Sequence, residues 1–312
     1  MRIVIVGLGG IGGVVGGRLA AGLAGLPEHE VVFWCRGNTL SAIKGKGLEV
    51  LAHDGEMTVH PALATCSVDE VKSADLLIFS TKSYQLEAAA GELAAVTNDK
   101  TVALPLLNGV SAPAILERQL PRCDVLGGCI YVSAHVERPG VVRQAGTVQR
   151  VFFGKKGAGE AENLARYGGI GQVLKKSGIN VTLTDNIEVE MWAKFVFLSP
   201  FAGVTTLLRL SISEVLSHHE SFETVRRMIH EIEAVARAKS IDLPKSIVEI
   251  TIEKARSFEP FTKTSMQVDQ ESGRQTELDS LIGYVCREGR TIGIPVPTYE
   301  KGYEGLKAIC RT

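Results

Sequence analysis

The chain begins with RIVIVGLGGIG (residues 2–12), and this stretch determines the architecture of the first half of its 312 residues. Four of the five residues before Gly7 are β-branched, which predicts a buried strand. Three glycines then follow at G-x-G-x-x-G spacing, and small residues continue as a predicted helix to about Ala24. A glycine-rich turn between a strand and a helix is the setting in which this motif binds a dinucleotide pyrophosphate.

Each glycine of the motif has a physical role. Gly7 permits a tight turn, Gly9 lets the backbone approach the pyrophosphate, and Gly12 allows the helix to pack closely on the strand. The helix amino terminus, at Gly10 and Ile11, presents N–H groups and partial positive charge to the phosphates. These five residues are therefore predicted to bind the cofactor, whereas a turn that serves only packing is the alternative.

The end of the second predicted strand indicates which dinucleotide binds. Sites specific for NAD carry Asp or Glu about 20 residues after the glycines. Residues 33–38 read Phe-Trp-Cys-Arg-Gly-Asn, with no carboxylate. The guanidinium of Arg36 can pair with a 2′-phosphate through its planar fork of donors, which predicts NADP(H). A solvated turn arginine is the alternative.

The order of elements predicts the fold class. Apolar runs at residues 30–34, 75–80 and 101–107 alternate with helical segments, which is typical of a parallel sheet covered on both faces. Residues 125–154 favour antiparallel strands, and helical periodicity dominates beyond about Asp185. We predict an α/β fold: a Rossmann-type doubly wound sheet with an antiparallel edge extension (residues 1–184), then an all-helical domain (residues 185–312).

Composition excludes several functional classes. Lys and Arg number 34 against 35 Asp and Glu, so the net charge of −1 argues against nucleic-acid or anionic-membrane partners. The sequence shows no run of about 18 apolar residues and no signal-peptide pattern, so we expect no membrane span and a cytoplasmic location. The six cysteines lack C-x-x-C or zinc-site spacing and are interpreted as reduced thiols without a metal.

Several motifs together resemble the ketopantoate reductase (2-dehydropantoate 2-reductase) family, of which this chain looks like a divergent member. The similarity extends over nearly the whole chain, and its later blocks are more specific than the glycine motif. The motifs are the glycine turn, Arg36, Ser80-Thr81-Lys82, Leu107-Asn108-Gly109, Trp192-Ala193-Lys194, and the block Thr264-Ser265-Met266-Gln267-Val268-Asp269 with Gly273 and Thr276-Glu277-Leu278-Asp279.

The resemblance implies a role for each site residue. Lys194 and Glu277 are implied to be catalytic, with Glu277 accepting a hydrogen bond from Lys194 or from the substrate oxygen, and Ser265 is implied to bind the substrate carboxylate. Lys82 and Asn108 are implied to contact both cofactor and substrate. From the residues alone, the alternatives are a snorkelling lysine for Lys194, a surface glutamate for Glu277 and a helix N-cap for Ser265. For Lys82 and Asn108 the alternative is a solvent-facing cap at a strand end.

One departure from the family pattern bears on the substrate. The family shows asparagines four and eight residues after its catalytic lysine, where this chain has Leu198 and Ala202. Ser199 and Thr205 are candidates to replace some of the lost hydrogen bonds, and Pro200 indicates a helix kink.

The resemblance implies NADPH-dependent reduction of 2-dehydropantoate to pantoate, a step of pantothenate biosynthesis. Reduction of another small 2-oxo acid and a non-catalytic NADP(H)-binding sensor are the alternatives. The sequence leaves the oligomeric state open, with a homodimer as one option.

Overall fold

The computed structural model describes residues 1–311, and the chain divides into two compact units. The first unit comprises Met1–Leu107 and Ala112–Ile187, and the second comprises Asn108–Ser111 and the chain from Glu188 onward. The second unit thus begins at Glu188 rather than at Asp185, and it also includes a four-residue segment from the loop that follows a strand of the first unit.

The first unit contains alternating strands and helices. In chain order they are β1 (Arg2–Val6), α1 (Gly10–Gly22), β2 (Glu30–Trp34), α2 (Gly37–Lys46), β3 (Leu48–Ala52), β4 (Gly55–Val59), β5 (Leu63–Thr65), α3 (Val68–Val71), β6 (Leu76–Phe79), α4 (Ser83–Leu93), β7 (Val102–Pro105), α5 (Ala112–Gln119), β8 (Asp124–Val125), β9 (Gly127–Arg138), β10 (Val141–Gly154), α6 (Glu160–Lys176) and β11 (Val181–Leu183).

Six of these strands form a parallel sheet in the order β5-β2-β1-β6-β7-β8. The strand order reverses at β1, so the glycine turn that follows β1 lies at the switch point of the sheet, where such folds bind their ligands. Ile3 and Ile5 pack into one core and Val4 and Val6 into another. Burial on both faces explains why the four residues of β1 after Arg2 are all apolar. The predicted fold class is confirmed.

The antiparallel strands pair as predicted but do not extend this sheet. β9 and β10 form an antiparallel pair, yet they belong to a second sheet with the order β11-β10-β3-β4, in which β10 pairs in parallel with β3 and β11. The edge beside β7 is taken by the short strand β8. The predicted edge extension is therefore wrong in its attachment, because β10 pairs with β3, a strand that the sequence did not indicate.

Helix α1 lies between the two sheets, which explains its glycines. A Cβ atom on Gly16 would lie 3.0 Å from Phe33 of the six-stranded sheet. On the second sheet, Cβ atoms on Gly13 and Gly17 would lie 2.4 Å from Val142 and 2.5 Å from Val50. An alanine would gain about 1 kcal/mol of helix propensity but would overpack these contacts, which costs about 1–3 kcal/mol.

The second unit is helical, as predicted. Its helices are α7 (Ile187–Leu208), α8 (Ile212–Ser217), α9 (His219–Ala238), α10 (Ile247–Arg256), α11 (Ser265–Glu271), a π-helical turn (Asp279–Gly283), α12 (Tyr284–Ile292) and α13 (Pro297–Lys307).

Helix α7 is the core helix of this unit and continues past Pro200. Within the described part of the chain it is the one helix long and apolar enough to cross a membrane, and 72% of its most apolar window is buried inside the protein. Its apolar residues, such as Phe195 and Phe201, are fully buried in the core, which accounts for its composition.

Candidate active site

The glycine turn has the geometry that the motif predicts. Gly7 has φ +92°, a backbone conformation that side chains rarely adopt. A Cβ atom on Gly12 would lie 1.9 Å from the Gly7 carbonyl oxygen and 2.3 Å from the Ser80 hydroxyl. By contrast, a Cβ atom on Gly9 would meet no neighbouring atom within 4 Å. Gly7 and Gly12 thus serve the local structure, while Gly9 leaves space open above the turn.

The amino terminus of α1 suits a phosphate group. Gly9 is its N-cap, no side chain caps the helix, and its first turn contains no acidic residue. The Gly13 N–H donates to the Gly9 carbonyl, so the N–H groups of Gly10, Ile11 and Gly12 precede the first intrahelical bond. Open space over Gly9 and these donors fit a dinucleotide pyrophosphate.

The carboxyl end of β6 is held against the glycine turn. The Ser80 hydroxyl donates to the carbonyls of Gly7 at 2.8 Å and Val6 at 3.2 Å. The adjacent Thr81 hydroxyl is buried and has no hydrogen-bond partner among the described residues. Buried hydroxyls normally have a hydrogen-bond partner, so Thr81 is an exception at this turn. Lys82 follows as the N-cap residue of α4.

Arg36 lies at the carboxyl end of β2, immediately before α2. Its guanidinium lies 4.6 Å from the Trp34 ring centroid and forms an ion pair with Glu92 of α4. The side chains of Arg36 and Glu92 are 56% and 42% exposed, and ion pairs this exposed contribute about 0–1 kcal/mol. A 2′-phosphate makes stronger bidentate bonds and can compete with Glu92, a partner that the sequence did not reveal.

Two predicted residues of the second unit meet directly. Lys194, in α7, donates from its Nζ to the Oδ1 of Asn108 at 2.9 Å, although 86 positions separate them in sequence. Both side chains are half-buried. Asn108 reaches α7 because the segment Asn108–Ser111 belongs to the second unit, and Gly109, with φ +90°, provides the turn there.

Glu277 is buried rather than on the surface. Only 5% of it is exposed, and it lies two residues before the π-helical turn Asp279–Gly283. Its carbonyl accepts bonds from the Leu281 N–H and the Ser280 hydroxyl, each at 3.0 Å. A Cβ atom on Gly109 would lie 3.5 Å from the Ser280 carbonyl oxygen, so this turn lies next to the Asn108 segment. A surface role for Glu277 is thereby excluded, and π-helical insertions frequently mark functional sites.

Ser265 does not cap helix α11. The N-cap is Thr264, whose hydroxyl accepts the Gln267 N–H, and Ser265 is the exposed first residue of the helix. The N-cap interpretation of Ser265 is therefore wrong, and its role toward a carboxylate stays a prediction. Asp269 of the same helix is buried and pairs with Arg274 at 2.9 Å, which is a structural contact.

The two hydroxyls considered as replacements for the missing asparagines are used inside the core. Ser199 is fully buried, donates to the Leu281 carbonyl at 2.9 Å and lies 2.9 Å from the Tyr299 hydroxyl. Thr205 is also fully buried and donates to the Phe201 carbonyl at 2.7 Å. Neither hydroxyl is available to a substrate, so that expectation is wrong.

Comparison with known proteins identifies relatives along the whole chain. Residues 3–157 match the family described as "Ketopantoate reductase PanE/ApbA", and residues 186–309 match its C-terminal counterpart. A 2-dehydropantoate 2-reductase of Halobacterium salinarum is 29% identical over 301 residues and covers 95% of each chain.

Solved structures agree with these matches. A PanE/ApbA family ketopantoate reductase from Ralstonia eutropha is 25% identical, with a TM-score of 0.87 over 99% of this chain and 98% of that chain. A D-mandelate dehydrogenase solved with NADH and anilino(oxo)acetate is 26% identical, with a TM-score of 0.86 over 99% of this chain and 98% of that one.

Proposed function

Since this chain belongs to the ketopantoate reductase family of pyridine-nucleotide-dependent oxidoreductases, we propose that it reduces the keto group of a 2-oxo acid with NADPH. The observation that supports this most directly is the Lys194 ammonium, half-buried and oriented by the Asn108 amide at 2.9 Å. The amide acceptor fixes the position of the Nζ atom, and an ammonium held there can stabilise negative charge on a carbonyl oxygen.

In this proposal, bound NADPH supplies the hydride that reduces the keto carbon. Lys194 stabilises the negative charge that develops on the carbonyl oxygen and then donates a proton to it, as a general acid does. Ser265, exposed at the start of α11, binds the substrate carboxylate. Glu277, buried beside the Asn108 segment, supports the protonated form of the lysine, and Lys82 attracts the anionic substrate.

The preference for NADPH over NADH is assigned to Arg36. Its guanidinium follows β2, and no carboxylate stands at residues 33–38 to bind a ribose 2′-hydroxyl. Replacing Arg36 with Glu removes the donors and places a negative charge opposite a 2′-phosphate. We expect this variant to favour NADH, measured as the ratio of kcat/KM for the two cofactors, and an unchanged ratio would contradict the role.

Two substrates follow from the relatives. Those named 2-dehydropantoate 2-reductase make reduction of ketopantoate to pantoate, in pantothenate biosynthesis, the first candidate. Leu198 and Ala202 favour a second candidate, a different 2-oxo acid, because they offer no hydrogen bond to a substrate hydroxyl. The relative named D-mandelate dehydrogenase provides a precedent for this second candidate.

A panel of 2-oxo acids tests the proposal. NADPH oxidation is followed with ketopantoate, pyruvate, phenylglyoxylate and branched 2-oxo acids, and each is repeated with NADH. We expect turnover with at least one acid and a preference for NADPH. Tight binding of NADPH without oxidation by any acid would instead support a cofactor-binding sensor and overturn the proposal.

The proposed setting is the cytoplasm, with a small molecule as the substrate and no nucleic-acid or membrane partner. The near-neutral charge supports this, as does the presence of Cys35 and Cys286 as buried thiols outside any disulfide. Within the described residues, no group of three or more His, Cys, Asp or Glu side chains is arranged to hold a metal ion. A homodimer is proposed as the form to test by light scattering.

A further inference from the structure

The face of α7 that carries Lys194 continues as an apolar surface. Residues three, four, seven and eight positions after a helical residue share its face. After Lys194 these are Phe197, Leu198, Phe201 and Ala202, all apolar. Phe197 is 8% exposed and the last two are fully buried, whereas Leu198 is only half-buried. Leu198 is therefore the most accessible of the four to a molecule bound at Lys194.

The Phe197 ring has aromatic neighbours, and the Lys254 ammonium also lies 5.0 Å from its centroid. The Phe197 ring stacks on Phe258 at 5.4 Å between centroids and 6° between planes. It also packs against Phe201, with 5.3 Å between centroids. Ser199, the polar residue next to Leu198, is fully buried with its hydroxyl bonded to the Leu281 carbonyl. A side-chain rotation that exposed the Ser199 hydroxyl would have to break its hydrogen bond to Leu281.

Two polar groups are proposed to contact the reacting end of the substrate. Lys194 is assigned to the keto oxygen and Ser265 to the carboxylate, and the Asn108 carbonyl oxygen already accepts from Lys194. The face of α7 beyond Lys194 is the apolar surface nearest to these groups along the helix. A hydroxyl buried there without a partner loses its hydrogen bonds to water, whereas a methyl group in the same place does not.

We infer that Leu198 determines substrate specificity by receiving the side chain of the 2-oxo acid, and that the preferred substrate has a branched apolar side chain without a hydroxyl group. This inference rests on the proposed function and sharpens it. An apolar site rejects an added hydroxyl only moderately, by up to about 100-fold. A preference of about 10- to 100-fold is therefore expected.

A matched pair of substrates tests the inference. Ketopantoate and trimethylpyruvate share the same quaternary carbon and differ by a single hydroxyl group. We expect kcat/KM to be about 10- to 100-fold higher for trimethylpyruvate with the unmodified protein. Higher kcat/KM for ketopantoate would overturn the inference. Absence of NADPH oxidation with every acid would contradict the proposed function instead, so the two failures are distinguishable.

Substitution of Leu198 tests whether this residue causes the preference for trimethylpyruvate over ketopantoate. Leu198→Asn adds an amide at the accessible position, and we expect it to lower the trimethylpyruvate-to-ketopantoate ratio by about tenfold. Leu208→Asn is the matched control, because Leu208 is 47% exposed on the same helix and lies about 15 Å further along it than Leu198. We expect its ratio to equal that of the unmodified protein.

The substrate ratio is informative only if the variant folds and binds cofactor. Thermal unfolding and NADPH titration of Leu198→Asn provide this check, and Leu198→Thr is the smaller change if the Asn variant unfolds. A folded Leu198 variant with an unchanged ratio would overturn the assignment to Leu198. The ratio for the unmodified protein tests the apolar preference independently of any substitution.

Discussion

The two units build their predicted sites from different parts of the chain. In the first unit, the phosphate site consists of backbone N–H groups and glycines within six consecutive residues, Gly7 to Gly12. In the second unit, side chains from distant segments, such as Lys194 and Asn108, form the site. A backbone site requires only a strand, a turn and a helix in sequence, whereas a side-chain site depends on how separate helices pack. Variants should therefore affect either cofactor binding or turnover, but not both equally.

The largest expected effect is on turnover, from Lys194→Ala. Loss of a general acid that also stabilises the developing charge should lower kcat by about 10²- to 10⁴-fold. The dissociation constant for NADPH, measured by fluorescence titration, should stay nearly unchanged. Lys307→Ala is the control, because Lys307 pairs with Glu304 at 3.0 Å on α13. Retained turnover in Lys194→Ala would remove this residue from the mechanism.

Two glycine variants test the first unit. Gly9→Ala places a methyl group where nothing lies within 4 Å, so the fold should tolerate it while the pyrophosphate loses its space. We expect the dissociation constant for NADPH to rise about tenfold or more, with little change in melting temperature.

Gly12→Ala is the contrasting variant, since its Cβ would lie 1.9 Å from the Gly7 carbonyl oxygen. We expect it to lower the free energy of unfolding by about 1–3 kcal/mol through overpacking. If Gly9→Ala instead destabilised the protein and bound NADPH normally, the space over Gly9 would have no role in cofactor binding.

The contrast between local and long-range structure also explains which elements could be predicted from the sequence. Strand β1, the glycine turn and α1 follow from β-branched residues and glycine spacing, which act locally. The second sheet was not predicted because β10 pairs with β3, whose residue Glu49 lies opposite Val141 across a long sequence separation. Such a register leaves no local signal, and β4 is too exposed to show a clear apolar pattern.

In the second unit, Lys194 and Asn108 were identified through family motifs rather than from their own surroundings. Their hydrogen bond follows from the placement of Asn108–Ser111 in the second unit, which no local pattern indicates. Glu92 was not predicted for a similar reason: it is an ordinary helix glutamate until folding places α4 beside Arg36. The hydroxyls of Ser199 and Thr205 were misjudged because their acceptors are carbonyls that only the folded helices bring into reach.

The third prediction concerns the lysine's orientation. Asn108→Ala removes the acceptor at 2.9 Å from Lys194. A hydrogen bond to a charged group contributes about 1.5–3 kcal/mol, so kcat should fall roughly 10- to 150-fold. Combined with Lys194→Ala, the Asn108 substitution should cause little further loss, because the two residues act as one unit. Independent, multiplicative losses in kcat would show that Asn108 acts without Lys194.

The smallest expected effect is on cofactor preference in the first unit, where the side chain of Arg36 is proposed to bind the 2′-phosphate. Glu92→Gln removes the charge that competes with a 2′-phosphate for Arg36 while keeping the shape of the side chain. Exposed ion pairs contribute up to about 1 kcal/mol, so the preference for NADPH over NADH should rise by no more than about fivefold.

Glu87→Gln is the control, since Glu87 lies on the same helix, pairs with Arg118 at 2.9 Å and has a similar exposure. The measurement is the ratio of kcat/KM for the two cofactors, taken at low and high salt. The increase in NADPH preference caused by Glu92→Gln should be smaller at high salt. Salt already screens the Arg36–Glu92 ion pair in the unmodified protein, so its removal then changes less. An equal change in the cofactor ratio of the Glu87→Gln variant would show that the effect comes from the net charge of the protein. The preference for NADPH would then not depend on the contact between Arg36 and Glu92.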